Sequence, residues 1–124
     1  MTAARQSMGR RAEELVARRL EAAGWEILGR NVRSRHGEID IVAREGRALV
    51  FVEVKAGRRG SAFGPERPVL AVDPRKQRRI RRLAAAWLAA NRGGRRYAQI
   101  RFDAVGVTFE GSRAVGIEHI RSAF

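Results

Sequence analysis

Two apolar segments separated by a short turn constrain the fold of this chain more than any other feature. Residues 38–43 alternate polar and apolar side chains, the turn at residues 44–47 follows, and residues 48–54 form an apolar run. This pattern predicts a β-hairpin whose first strand has a polar face and whose second strand is largely buried. We expect a sheet to be built around this hairpin.

The remaining segments predict two helices and three more strands. Asp73 followed by Pro74 is typical of a helix start, and Gly93 with Gly94 of a helix end. The order α-β-β-β-α-β-β predicts an α/β fold with a mixed sheet flanked by helices, and the 124 residues fit a single domain, 1–124. The predicted elements are a helix over residues 5–23, strands over 25–32, 38–43 and 48–54, a surface loop over 56–72, a helix over 74–91, and strands over 97–107 and 114–120.

The charge of the chain indicates a nucleic-acid partner. Lys and Arg number 26 against 13 Asp and Glu, which gives a net charge of +13. So large an excess on a small domain points first to nucleic acid and second to an acidic membrane surface. Almost all of the charged residues between 57 and 101 are Arg or Lys, whereas acidic residues outnumber basic ones between 36 and 55. The acidic block therefore needs a local explanation.

Several classes of protein are excluded by what the sequence lacks. There is no cysteine, so disulfides and thiolate zinc sites are ruled out, and a reducing cytoplasm is the expected location. No apolar run approaches the ~20 residues that span a bilayer, so no membrane partner is expected. A metal, if one is bound, would be a hard cation held by oxygen ligands.

The acidic block lies on the predicted hairpin. Alternation places Glu38 and Asp40 on the face of their strand opposite Ile39 and Ile41. If the hairpin is centred on its turn, Asp40 becomes a diagonal neighbour of Glu53, about 7–8 Å away. That register, in which Ala43 faces Ala48, brings two carboxylates close enough to share one cation.

Like charges across a sheet are destabilising, so an opposing charge is expected beside Asp40 and Glu53. The candidates are a divalent cation, Lys55 and ordinary arginine pairing. Mg²⁺ or Mn²⁺ on such a carboxylate pair is typical of phosphodiester hydrolysis, with Lys55 orienting or deprotonating the attacking water or holding the phosphate. Lysine is rare here, since only Lys55 and Lys76 interrupt 24 arginines. A solvated, charged sheet face remains the alternative.

Eight short segments form a recognisable set of motifs: 37–43 (GEIDIVA), 50–55 (VFVEVK), 9–13 (GRRAE), 24–25, 30–33 (RNVR), 76–79 (KQRR), 101–103 (RFD) and 123–124. Together they resemble the bacterial YraN-like family of predicted endonucleases, distant relatives of archaeal Holliday junction resolvases in the PD-(D/E)xK superfamily. The resemblance implies a restriction-endonuclease-like core in which Asp40 and Glu53 bind the metal and Lys55 is the catalytic lysine. It also implies that Glu13, on the first helix, is an additional acid at the metal. Ile39 stands where the superfamily motif has proline.

Other charged side chains have more ordinary interpretations. Glu38 is either a further ligand or an arginine partner, and Asp103 is interpreted as an arginine partner. His36 is interpreted as structural or exposed. The second helix carries the residues predicted to contact nucleic acid through its phosphates, which are Arg75, Lys76, Gln77, Arg78, Arg79 and Arg82.

These observations predict a Mg²⁺- or Mn²⁺-dependent endonuclease acting on DNA, with a preference for branched or nicked structures. Cutting a four-way junction would require a homodimer, for which the loop over residues 56–72 is a candidate contact. The alternatives are a non-catalytic nucleic-acid-binding protein that keeps the fold, and a factor associated with RNA or the ribosome.

Overall fold

The computed structural model describes residues 3–60, 67–91 and 96–124, and the order of its elements confirms the predicted α/β class. The helices and strands are α1 (Ala3–Ala22), β1 (Glu26–Ser34), β2 (Gly37–Glu45), β3 (Ala48–Arg58), a 3₁₀ helix (Pro68–Ala71), α2 (Pro74–Ala90), β4 (Gln99–Glu110) and β5 (Arg113–Ile120). Neither described helix is long and apolar enough to cross a bilayer.

The strands form one mixed sheet in the order β1-β2-β3-β4-β5. Each strand pairs antiparallel with its neighbour except β3 and β4, which are parallel. A parallel pair requires a crossover connection, and α2 lies within it. This crossover places α2 over the centre of the sheet.

The two faces of the sheet bury separate cores. On one face α1 packs Val16 and Leu20 against Val50 and Val52 of β3. On the other face the α2 residues Ile80, Leu83 and Ala84 pack against Val42, Leu49, Phe51 and Phe102. Because side chains alternate along a strand, β3 is buried on both sides, which explains its continuous apolar sequence.

The start of α2 agrees with its prediction. The Asp73 side chain accepts a hydrogen bond from the backbone nitrogen of Lys76 at 2.9 Å, and Pro74 occupies the first turn. This cap fixes the backbone of Lys76. The helix ends at Ala90, and the predicted glycine stop at residues 93–94 lies outside the described residues.

The predicted loop over residues 56–72 is wrong at both ends. Residues 56–58 continue β3 because they pair with β4 through Arg58 and Phe109, although they lack the β-branched side chains typical of strands. The 3₁₀ helix at the other end was not predicted. Its Val69 lies so close to β4 that a Cβ on Gly106 would be 2.7 Å from the Val69 nitrogen. Residues 61–66, part of the candidate dimer contact, lie outside the described residues.

Candidate metal centre

The register predicted for the hairpin is wrong by two residues. Ala43 pairs with Val50 rather than with Ala48, because the turn is tight at Gly46, which has a φ of +57°. A shift of two residues does not by itself move side chains to the other face of the sheet. The described pairing ends at Ile41 and Val52, and the next position beyond it holds Asp40, just before Ile41, and Glu53, just after Val52. The observed register, continued by one position, would place Asp40 opposite Glu53 rather than diagonal to it.

The sheet opens at Asp40. Its carboxylate accepts a hydrogen bond from the Val54 backbone nitrogen at 2.8 Å, so a side chain takes the place of a strand carbonyl. The prediction that Ile39 and Ile41 share a face is wrong, since Ile39 packs with the α2 core and Ile41 with the α1 core. Alternation fails because β2 separates from β3 here while Ile39 still pairs with β1. Asp40 thus lies at the point where the two strands part.

Three carboxylates from two elements converge at this opening. Glu13 from α1 meets Glu38 and Asp40 from β2, and one oxygen of each lies within 4.8 Å of the others. Glu38 Oε2 also accepts from Arg33 at 3.1 Å, so this residue is both an arginine partner and a member of the cluster. Glu13, a residue carried over from the family resemblance, is thereby placed beside Asp40.

An amide bridges two of these acids. When the Asn31 side chain is oriented so that its nitrogen faces the carboxylates, it donates to Glu13 at 2.8 Å and to Glu38 at 2.7 Å. Asn31 has a φ of +49°, a conformation that asparagine tolerates better than most residues. Sequence reasoning missed its role, although its position within the matching segment 30–33 offered a signal.

Glu53 and Lys55 lie beside the cluster on the α2 side of the sheet. The Glu53 side chain is buried, and its Oε1 is 3.4 Å from Lys55 Nζ. The second lysine reaches the same place, because the Lys76 side chain contacts that of Lys55. Burial, followed by this contact, lowers the pKa of Lys76. The contact joins α2 to β3 and was not predicted.

Burial, and then the neighbouring acids, raise the pKa values of two of these carboxyl groups. Burial, and then the charge of Glu53, raises the pKa of Asp40 from 3.8 to about 8, against the opposing hydrogen bond from Val54. Burial, and then the charge of Glu38, also raises the pKa of Glu13. With a pKa of about 8, Asp40 holds a proton at neutral pH, and a bound cation would replace that proton.

The donor set fits a hard divalent cation. Carboxylate oxygens are the ligands that Mg²⁺ and Mn²⁺ prefer, and ligands on an octahedral ion at about 2.1 Å lie about 3–4 Å apart. The 4.8 Å limit on the oxygens of Glu13, Glu38 and Asp40 is close to that spacing. Small side-chain movements would bring them into coordination, with Glu53 adjacent.

Asp103 is buried on the α1 side of the sheet beside Arg101 and His119, and it is not a member of this cluster. Burial would raise its pKa, but hydrogen bonds from His119, Arg101 and the Ser122 backbone lower it. Both guanidinium contacts are short, at 2.8 and 3.0 Å, which confirms the prediction of an arginine partner. His36, which the sequence indicated to be structural or exposed, is exposed.

The residues predicted to contact nucleic acid divide into exposed and half-buried groups. Arg75, Arg78 and Arg82 are exposed. Lys76, Gln77 and Arg79 are half-buried, and the Gln77 amide donates to the Val72 carbonyl at 3.2 Å. Gln77 thus ties α2 to the segment before it.

Comparison with known proteins gives consistent matches over most of the chain. The model described as "Uncharacterised protein family UPF0102" matches residues 12–107. A UPF0102 protein of Rhodococcus jostii is 48% identical over 95% of this chain and 96% of its own length. UPF0102 proteins of Streptomyces coelicolor and Geobacter sulfurreducens are 50% and 48% identical over 95% and 94% of this chain, and over 88% of their own lengths.

Proposed function

Because this chain belongs to the UPF0102 family, which is the YraN-like family of the sequence resemblance, we propose that it is a Mg²⁺- or Mn²⁺-dependent endonuclease acting on DNA. The observation that carries the proposal is the convergence of Glu13, Glu38 and Asp40, with Glu53 and Lys55 alongside. We further propose a preference for branched or nicked DNA and a cytoplasmic location.

In this proposal the carboxylates would bind the cation, and Lys55 would act on the attacking water or the phosphate. Asp40, Glu53 and Glu13 are the proposed ligands, with Glu38 available as a fourth. When bound, the cation would stabilise negative charge that develops on the phosphoryl group. Lys55 is held by Glu53 and orients or deprotonates the attacking water, or contacts a phosphate oxygen. Asn31 donates to two of the acids and so fixes their orientation.

The net charge of +13 and the arginines of α2 support DNA binding through the backbone. Phosphate contacts supply affinity without reading sequence, so binding should weaken steeply with salt. Recognition of DNA by shape rather than by sequence agrees with such contacts.

A cleavage assay on duplex, nicked, flap and four-way DNA tests the proposal. We expect cutting with Mn²⁺ and none with chelator. Asp40→Ala and Lys55→Ala should each lose at least about 100-fold in rate while still binding DNA. Glu110→Ala is the matched control, because Glu110 is an exposed acid paired with Arg59 away from the cluster. Cutting that survives chelator or Asp40→Ala would refute the proposal.

A second candidate is a non-catalytic binder of nucleic acid, associated with DNA, RNA or the ribosome. The observation in its favour is that Arg78 and Arg82 are exposed and have no acidic partner among the described residues. They could therefore bind phosphates whether or not the carboxylate cluster binds a cation. Such a protein would bind equally well after Asp40→Ala or Lys55→Ala and would cut nothing.

A further inference from the structure

The two lysines of this chain lie together although they are far apart in sequence. Lys55 is on β3 and Lys76 is in the first turn of α2, where the Asp73 cap fixes its backbone. Their side chains are in contact, and the acids within reach are Glu53 and Asp40. Both acids are proposed ligands of the cation. Once they bind it, the lysines have no remaining negative partner from this group.

A third cation lies one helical turn beyond Lys76. Arg79 is half-buried, and its Nε is shielded from solvent without a hydrogen-bond partner in the described residues. Its side chain crosses the β1–β2 turn at Gly37, where a Cβ would lie 3.4 Å from Arg79 Cδ and 3.5 Å from Nε. Gly37 has a φ of +134° and immediately precedes Glu38 of the acid cluster. Arg79 therefore reaches the edge of the metal centre with an unused donor.

A buried donor without a partner costs about 1–3 kcal/mol, and neighbouring like charges repel each other. Both costs are relieved by an anion between α2 and the β1–β2 turn. A phosphate diester has the charge and the acceptor oxygens to do so, and guanidinium and ammonium groups are its usual partners.

The opposite side of α2 differs in its exposure. Arg78 and Arg82 point away from the buried positions Ile80 and Leu83 of the same helix, and they lie in the open. With Arg75 and Arg81 they line an open depression about 460 Å³ in volume. Side chains so exposed attract a phosphate backbone but hold no single phosphate in place.

Building on the proposed function, we propose that α2 carries two cationic rows with different roles. The inner row, Lys76 and Arg79, acts with Lys55 to hold the phosphodiester that is cleaved. The outer row, Arg78 and Arg82, adds affinity along the flanking backbone. The substrate backbone would then pass along the edge where α2 meets the β1–β2 turn.

Two charge-matched double variants test this division. Lys76→Ala/Arg79→Ala and Arg78→Ala/Arg82→Ala each remove two positive charges from one helix. We expect the outer pair to weaken binding and to make the slope of log K against log salt shallower by about 1.8, with less than about threefold loss of rate at saturating DNA. The inner pair should lose at least about 100-fold in rate at saturating DNA. Equal effects of the two pairs on that rate would overturn the proposal.

A second measurement is independent of cleavage. Reductive ¹³C-methylation keeps the positive charge and labels only two side chains, Lys55 and Lys76, besides the amino terminus. We expect a 20-base-pair duplex to shift the NMR signal of the Lys76 methyl groups, both with Ca²⁺ and with chelator. Arg79→Ala should reduce that shift more than Arg82→Ala does. Signals are assigned with Lys55→Arg and Lys76→Arg.

The two proposals fail separately in these experiments. If the wild type cuts no substrate but DNA still shifts the Lys76 signal, hydrolysis is refuted and the phosphate position stands. If the wild type cuts DNA and saturating duplex leaves the Lys76 signal unmoved, the inner row is refuted and the endonuclease proposal stands.

Discussion

Replacing Asp40 with asparagine should stabilise the protein at neutral and alkaline pH. In the folded protein the pKa of Asp40 is about 8, whereas its ordinary value is 3.8. At 1.36 kcal/mol per pKa unit, this difference lowers the free energy of unfolding by roughly 6 kcal/mol at high pH, where the unfolded chain has lost the proton. Water entry and side-chain movement reduce the cost, so we expect Asp40→Asn to gain about 2–3 kcal/mol at pH 8.5. The asparagine oxygen can still accept from Val54.

The sign of the pH dependence is opposite to that of an ordinary ion-paired carboxylate. Below pH 3.8 Asp40 is protonated in both the folded and the unfolded chain, so it has no effect on stability. As pH rises to about 8 the unfolded chain loses the proton more readily, and the wild type loses stability relative to Asp40→Asn. Above pH 8 the difference is constant.

Urea unfolding at pH 5.5 and pH 8.5, with and without Mg²⁺, measures this effect. Mg²⁺ should stabilise the wild type more at pH 8.5, because the cation replaces the proton, and should have much less effect on Asp40→Asn. Glu110→Gln is the control at an exposed acid. The reasoning is refuted if Asp40→Asn destabilises the protein equally at both pH values.

Substitutions at four further positions test the surrounding structure by urea unfolding. Gly106→Ala should lower the free energy of unfolding by about 2 kcal/mol, because its Cβ would lie 2.7 Å from the Val69 backbone. Gly9→Ala, within α1 and with nothing within 4 Å, should raise it by about 0.5–1 kcal/mol. A more stable Gly106→Ala than Gly9→Ala would contradict the described packing. Asp73→Ala should lower the free energy of unfolding by about 1 kcal/mol, because the helix cap is lost. If Asp73→Ser is as stable as the wild type, the cap rather than the charge of Asp73 stabilises the helix. Asp103→Ala should cost about 3 kcal/mol, since it removes a fully buried carboxylate and leaves the half-buried Arg101 with Glu45 as its remaining carboxylate partner; a loss below 1 kcal/mol would argue against the burial of Asp103.

The order of the elements and the proximity of Asp40, Glu53 and Lys55 could be predicted because they depend on local patterns. Alternation places side chains on faces, and the hairpin turn brings its two strands together. The exact register could not be read in this way, because a shift of two residues satisfies the same alternation. The conformation of Gly46 decides it.

Contacts across the crossover lay beyond these local patterns. The meeting of Lys55 with Lys76 depends on how α2 returns over the sheet, and the lysine count was the only sequence signal for it. Asn31 bridges acids from a strand and a helix, so its role follows from tertiary packing. Residues 56–58 pair with β4 despite their weak strand propensity, which tertiary context overrides.

The parallel pairing of β3 with β4 has a consequence for how this protein folds. Ala48 pairs with Gln99 and Arg58 with Phe109, so the whole ladder joins segments that are distant along the chain. Closing that distance costs entropy before any of the pairs contribute, which slows folding, whereas the β2–β3 hairpin can form early from neighbouring residues. Asp40 and Glu53 would thus approach each other in a nascent chain well before α2 arrives with its lysine.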